Sequence, residues 1–75
     1  MSAAGNSVKR QALVKYRELL DEGLEAFREN GDSTILHEAR GYLLALGEVA
    51  VLSEDELSAM LMNHSLRHFT ALATA

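Results

Sequence analysis

The sequence has 75 residues, a formal net charge of −4, no cysteine and no proline. A chain this short forms one domain with a small core, and the lack of cysteine excludes disulfides and thiolate metal ligands. No apolar run approaches the roughly 20 residues of a membrane span, and residues 1–7 lack the pattern of a secretory signal, so we expect a cytoplasmic protein that does not enter a membrane.

The first predicted helix covers about residues 7–30. Asn6 or Ser7 can cap its start with a side-chain oxygen, and Gly31 can end it in the left-handed conformation that glycine adopts readily. At helical spacing the apolar side chains fall on one face and most charged side chains on the other. This pattern predicts an amphipathic helix that packs against a core on one side.

The second predicted helix covers about residues 33–51 and starts at another capping pair, Asp32 and Ser33. Its main apolar stripe is broad, and Leu44 and Val51 fall outside it. A helix with so wide an apolar arc is expected to touch two neighbours or to lie in the middle of an assembly.

The third predicted helix covers about residues 54–70, and a capping box formed by Ser53 and Glu56 marks its start. It carries two apolar stripes on roughly opposite sides. The first stripe includes two histidines and consists of Leu57, Met60, Leu61, His64, His68 and Leu72. The second consists of Met62, Leu66, Phe69 and Ala73. A helix that is apolar on two sides is expected to be covered on both.

Short links near Gly31 and Leu52 predict antiparallel neighbours, and hence an all-α three-helix hairpin or bundle. The single domain covers residues 1–75, with residues 1–6 and 72–75 expected to fray. A monomeric bundle needs one apolar stripe per helix, and the surplus here is large enough to mark an interface, so we expect a homodimer. The alternative is a third helix that is wrapped on both sides within one chain.

Self-association is expected to involve the first helix and the outlying residues of the second, namely Leu20, Gly23, Phe27, Leu44 and Val51. Glycine inside a helix is about 1 kcal/mol less favourable than alanine, so Gly23 predicts a close approach by a second copy or by the second helix. Residues 1–17 carry only basic charges and residues 18–32 mostly acidic ones, so two first helices can pair antiparallel. A tolerated small residue and a solvated charged face are the simpler alternatives.

Catalytic and metal-binding patterns are weak. His64 and His68 are four residues apart, a spacing that can clamp a zinc ion, and His37 could reach them from the second helix. Both histidines continue an apolar stripe, so packing is the simpler interpretation and metal binding stays open. Because Ser53 and Ser58 have no basic partner nearby in the sequence and no glycine-rich phosphate loop occurs, we expect no enzyme and assign no catalytic residue, cofactor or metal.

A DNA-associated transcriptional regulator is the alternative function. Lys9, Arg10, Lys15 and Arg17 form a basic cluster in the first helix, and a dimer would double it. The net charge is −4, however, and the third helix begins with three acids at the end that would meet phosphates. The sequence therefore disfavours direct contact with nucleic acid.

The residue pattern predicts a small non-enzymatic interaction protein that self-associates and docks on a protein partner as a regulator or adaptor. The partner surface is assigned to Met62, Leu66 and Phe69, because methionine and aromatic side chains adapt well to partners. The pattern identifies neither the partner nor which apolar face serves self-association.

Overall fold

The three helices of the computed structural model are α1 (Ser2–Asn30), α2 (Thr34–Glu48) and α3 (Glu54–Thr74). The structure describes residues 2–74, and their side chains over residues 7–73. Each helix packs against the other two, and this described part of the chain contains no strand, so the predicted all-α three-helix bundle is confirmed. A 29-residue helix is about 44 Å long, so α1 alone spans the longest dimension of the bundle, 44 Å.

Contacts across the bundle give the directions of the helices. Lys9 near the start of α1 contacts Glu56 at the start of α3, and Phe27 near the end of α1 contacts His68 further along α3. The two pairs progress in the same direction along both helices, so α1 and α3 run parallel. The short links then require α2 to return antiparallel to both, which gives an up-down-up bundle.

The link between α1 and α2 forms as predicted. Gly31 has a φ of +69°, and its N–H donates to the Phe27 carbonyl over 2.8 Å, which ends α1. Ser33 is the N-cap residue of α2 but makes no side-chain cap hydrogen bond. Instead, Asp32 Oδ1 accepts hydrogen bonds from the N–H and the hydroxyl of Thr34, the first residue of α2, at 3.0 and 2.7 Å.

The outer ends of α1 and α3 lie beyond their predicted limits. α1 begins at Ser2 instead of near residue 7, and α3 continues to Thr74 instead of ending near residue 70. Both extensions are rich in alanine, which has the highest helix propensity. At the start of α1 this propensity outweighs the capping signal of Asn6 or Ser7. The predicted fraying of the two ends stays a prediction.

The end of α2 is also corrected, because the helix stops at Glu48 instead of near residue 51. Ala50 is left-handed with a φ of +62°, and the N–H groups of Ala50 and Val51 donate to the carbonyls of Gly47 and Leu46, at 3.1 and 2.9 Å. This Schellman arrangement usually places glycine at the left-handed position. Because alanine occupies it here, the sequence pattern carries no stop signal.

The predicted capping box at the start of α3 is confirmed. Ser53 N–H donates to Glu56 Oε1 over 2.9 Å, and Glu56 N–H donates to Ser53 Oγ over 3.2 Å. The Lys9 ammonium of α1 pairs with the same carboxylate. Lys9 is the largest cause that lowers the pKa of Glu56 to about 2, and the Ser53 N–H lowers it further. One side chain therefore caps α3 and ties it to α1.

The core lies where the three helices meet. Leu36, Ala39 and Leu43 of α2 have no exposed surface, so α2 touches both neighbours, as its wide apolar arc predicts. The other buried side chains are Ala12, Tyr16, Leu20, Leu24, Leu46, Leu52, His64 and Ala71.

Two glycines allow close contact between helices. A Cβ on Gly23 would lie 2.9 Å from the backbone N of Leu36, so the close approach predicted at Gly23 is made by α2 of the same chain. A Cβ on Gly47 would lie 2.5 Å from Cδ2 of Leu57, which belongs to α3. The two contacts bring α2 near α1 at one end and near α3 at the other.

Candidate docking face on α3

Three large apolar side chains lie on the surface of α3, on the side away from the core. Met62, Leu66 and Phe69 are 66%, 58% and 68% exposed. Their spacing of four and three residues places them on one side of a helix, one turn after another. These three residues form the docking face, and they are the residues that the sequence analysis assigned to a partner surface.

No charged residue borders the docking face along α3. At helical spacing its nearest neighbours on the helix are Ser58, Ala59, Asn63, Ser65, Thr70, Leu72 and Ala73. Leu72 is itself 60% exposed and extends the apolar strip toward the end of α3. Exposed apolar strips of this continuity mark interaction sites more often than scattered apolar residues do.

The opposite side of α3 is held in the core by His64, which is 3% exposed. The Tyr16 hydroxyl of α1 and His64 Nδ1 are 2.8 Å apart. A neutral imidazole protonated on Nε2 offers an acceptor at Nδ1, so the hydroxyl donates. This buried hydrogen bond fixes the rotation of α3 about its axis and thereby keeps the docking face outside.

The surroundings of His64 favour its neutral form. Burial is the largest cause that lowers the pKa of His64 below its ordinary value of 6.5, and hydrogen bonding to the Leu36 backbone opposes part of that shift. His68, Arg40 and His37 lower the same pKa further, because their positive charge lies near the ring. Burial likewise raises the pKa of Tyr16, so the pair stays uncharged near neutral pH.

A second aromatic contact holds the later part of α3 against α1. The rings of Phe27 and His68 meet edge to face, with centroids 5.0 Å apart and an interplanar angle of 81°. Phe27 is half-buried in this contact and packs against the core. It therefore already has a partner within the chain.

The five residues predicted for self-association lie in different places. Leu20 and Gly23 are buried between the helices of one chain, and Phe27 and Val51 are half-buried against its core. Leu44 is 40% exposed and lies on the surface of α2. The structure therefore does not bring these five residues together as one surface, and the homodimer stays a prediction.

All three histidines gather around one groove between α2 and α3. The groove has a volume of about 370 Å³ and is lined by His37 and Arg40 of α2. From α3 it is lined by His64, Ser65, His68, Phe69 and Leu72. The ring centroids of His37 and His68 are 6.3 Å apart. Among the residues that the structure describes, no group of three or more histidine or carboxylate side chains is placed to hold a metal ion.

Three residues of the basic cluster of α1 line one groove. Lys9, Arg10 and Arg17 form it together with Leu13 and Val14, and its volume is about 320 Å³. Lys9 is also paired with Glu56. The acidic half of α1 forms another surface, where Glu18, Asp21, Glu22 and Glu25 line a groove of about 670 Å³ with Arg28 and Arg67. Acidic and basic surfaces thus lie on the same helix.

No family model, curated protein or solved structure matches the chain. Of the helices in the described residues, none is both long enough and apolar enough to cross a bilayer.

Proposed function

We propose that the protein is a small non-enzymatic interaction protein whose docking face binds a helix of another chain, with a second copy of itself as the first candidate. The observation that carries the proposal is the exposure of Met62, Leu66 and Phe69 on a helix whose other side is buried. A polar residue at any of these positions would leave the core contacts intact, so folding alone does not require apolar side chains there.

The character of the docking face supports self-association. Two uncharged apolar faces related by a two-fold axis come together without opposing like charges. Methionine and phenylalanine are enriched at interfaces, and methionine adjusts its shape to the surface that it meets. A domain of this length also has a small core, so burying the face against a second chain adds stability that the monomer lacks.

A heterologous partner would use the same chemistry. The face fits one side of an amphipathic helix, whose apolar residues at intervals of three and four would lie along Met62, Leu66 and Phe69. A regulator or adaptor works in this way, because it changes the activity of its partner by covering a surface.

Light scattering after size exclusion, over a wide range of concentrations, tests the proposal. We expect the wild-type chain to have twice its monomer mass of 8.2 kDa at high concentration. Leu66→Gln removes the central apolar side chain of the docking face and should return the protein to the monomer mass. Val14→Gln, at a half-exposed position on α1, is the matched control and should leave the mass unchanged.

Three results would contradict this account of self-association. A monomer mass for the wild-type chain at every concentration is the first. A dimer that Leu66→Gln leaves intact is the second, and a dimer that Val14→Gln dissociates as fully as Leu66→Gln does is the third. The circular dichroism spectrum of each variant shows whether it remains folded, and no change is expected because both side chains are exposed.

A further inference from the structure

We infer that the groove between α2 and α3 is a binding site for a carboxylate carried on an apolar group. This site goes beyond the proposed function, because its ligand is a small anion or a chain end and not the apolar side of a helix. It adjoins the docking face and shares Phe69 with it.

The charged side chains of the groove are all basic or titratable to a positive charge. Arg40 and His37 line it from α2, and His68 faces them from α3. None of the residues that line the groove is acidic, although the chain has 11 aspartates and glutamates. The Arg40 guanidinium is exposed and forms no ion pair with any residue that the structure describes, so it is available to an anionic ligand.

The geometry suits a carboxylate. A guanidinium offers two parallel N–H groups that match the two oxygens of a carboxylate, and imidazoles can donate further hydrogen bonds. Ser65 adds a hydroxyl on the α3 side of the groove. His64 closes the floor, but its Nδ1 is already bonded to Tyr16. The ligand is therefore held by Arg40, His37 and His68, and His64 has a structural role.

Two apolar side chains of α3 form the surface that would contact the apolar part of the ligand. Phe69 and Leu72 line the groove and are 68% and 60% exposed, so their surfaces are free to cover an alkyl chain or an apolar side chain. The volume of about 370 Å³ lies within the range of small-molecule sites. A charged head at Arg40 and an apolar tail along Phe69 therefore define the ligand class.

Two kinds of molecule carry this chemistry. One is a free medium-chain fatty acid, and the other is a peptide that ends in an apolar residue with a free carboxylate. The experiment uses decanoate for the first and acetyl-leucyl-phenylalanine for the second. Decyltrimethylammonium, which has the same chain with the opposite charge, and the amide of the peptide are the controls.

The measurement is an NMR titration of the imidazole ring signals with each ligand at neutral pH. We expect the signals of His37 and His68 to shift with decanoate, with the peptide acid, or with both, and not with either control. Arg40→Gln should weaken binding at least about tenfold, because a hydrogen-bonded charge is lost. Arg40→Lys should restore part of the affinity, and Arg28→Gln, on the acidic side of α1, should leave it unchanged.

The outcomes separate the ligand sources and test the site. Binding of decanoate alone identifies a fatty-acid site, binding of the peptide alone identifies a chain-end site, and binding of both supports the shared class. The proposal is overturned if neither ligand shifts the two histidines, if the cationic amphiphile binds equally well, or if Arg40→Gln has no effect. Repeating the titration with Leu66→Gln keeps this result independent of self-association.

Discussion

The two sides of α3 differ in a way that apolar spacing alone does not distinguish. The inner side contains the histidines, and its most buried polar residue, His64, is 3% exposed. The outer stripe consists of Met62, Leu66, Phe69 and Ala73, which are all apolar, and Leu66 near its centre is 58% exposed. The more polar stripe lies inside because Tyr16 satisfies the His64 ring there, whereas no residue that the structure describes covers the outer stripe. A partner inside the chain, and not hydrophobicity alone, decides which stripe is buried.

The largest change in the free energy of unfolding is expected at Gly23, where α1 and α2 are in close contact, and Gly41 on α2 provides a comparison at an open position. Gly23→Ala places a methyl group 2.9 Å from the Leu36 backbone and should lower the free energy of unfolding by about 3 kcal/mol. Gly41 has open space around its would-be Cβ, so Gly41→Ala should raise the free energy by about 1 kcal/mol. Urea denaturation followed by circular dichroism measures both. Equal changes in the two variants would show that α1 and α2 are not in close contact at Gly23.

The second-largest change in stability is expected when the buried hydrogen bond between Tyr16 and His64, which orients α3, is removed. Tyr16→Phe removes the hydroxyl but keeps the ring, which leaves His64 Nδ1 without its partner and should lower the free energy of unfolding by about 2 kcal/mol. Tyr42→Phe is the matched control, because the half-buried Tyr42 makes no hydrogen bond through its hydroxyl to a described residue, and a change below about 0.5 kcal/mol is expected. A loss for Tyr16→Phe no greater than that of the control would contradict the role given to this bond.

Much of the architecture follows from local signals in the sequence. Gly31 and the capping box of Ser53 and Glu56 were both predicted, since each depends on a few neighbouring residues. The end of α2 was predicted wrongly, because Ala50 takes a conformation in which glycine is usual. Contacts between residues that are far apart in the sequence could not be predicted from helical spacing. Nothing in that spacing links Tyr16 to His64, although a buried histidine requires a polar partner.

The candidate site was predicted only in part. The residues of the docking face were found because an apolar stripe opposite another is visible at helical spacing. The groove was not, because it needs Arg40 and His37 of α2 beside His68 of α3, and that arrangement depends on how two helices pack. For Gly23 the sequence predicted a close approach but left open whether the same chain or a second copy makes it.

A smaller change in stability is expected with pH, and it arises from His64 on the inner side of α3. The pKa of His64 is lower in the folded protein than its ordinary value of 6.5, so the unfolded chain takes up a proton first as the pH falls. The stabilising contribution is therefore fully present above about pH 6.5 and declines below it, by at most about 1.4 kcal/mol per pH unit for one group.

The charged and titratable groups around His64 define the control for this prediction. They are Tyr16 from α1, His37 and Arg40 from α2, and His68 from α3. Urea denaturation between about pH 5 and pH 8 should show the decline in wild type and a weaker one in His64→Gln, since only that variant lacks the buried imidazole. An identical pH dependence in the two proteins would contradict the role of His64 and assign the effect to other groups, such as His37 and His68.

The most direct test of the docking face compares two methionines on opposite sides of α3. Met60 packs against the core, whereas Met62 is 66% exposed. A mixed sample of chains with labelled methionine methyl groups and unlabelled chains reports contacts between chains as intermolecular nuclear Overhauser effects. Binding through the docking face predicts such effects at the Met62 methyl, including effects from the Phe69 ring, and none at Met60. A dimer whose intermolecular contacts leave Met62 untouched would contradict the account.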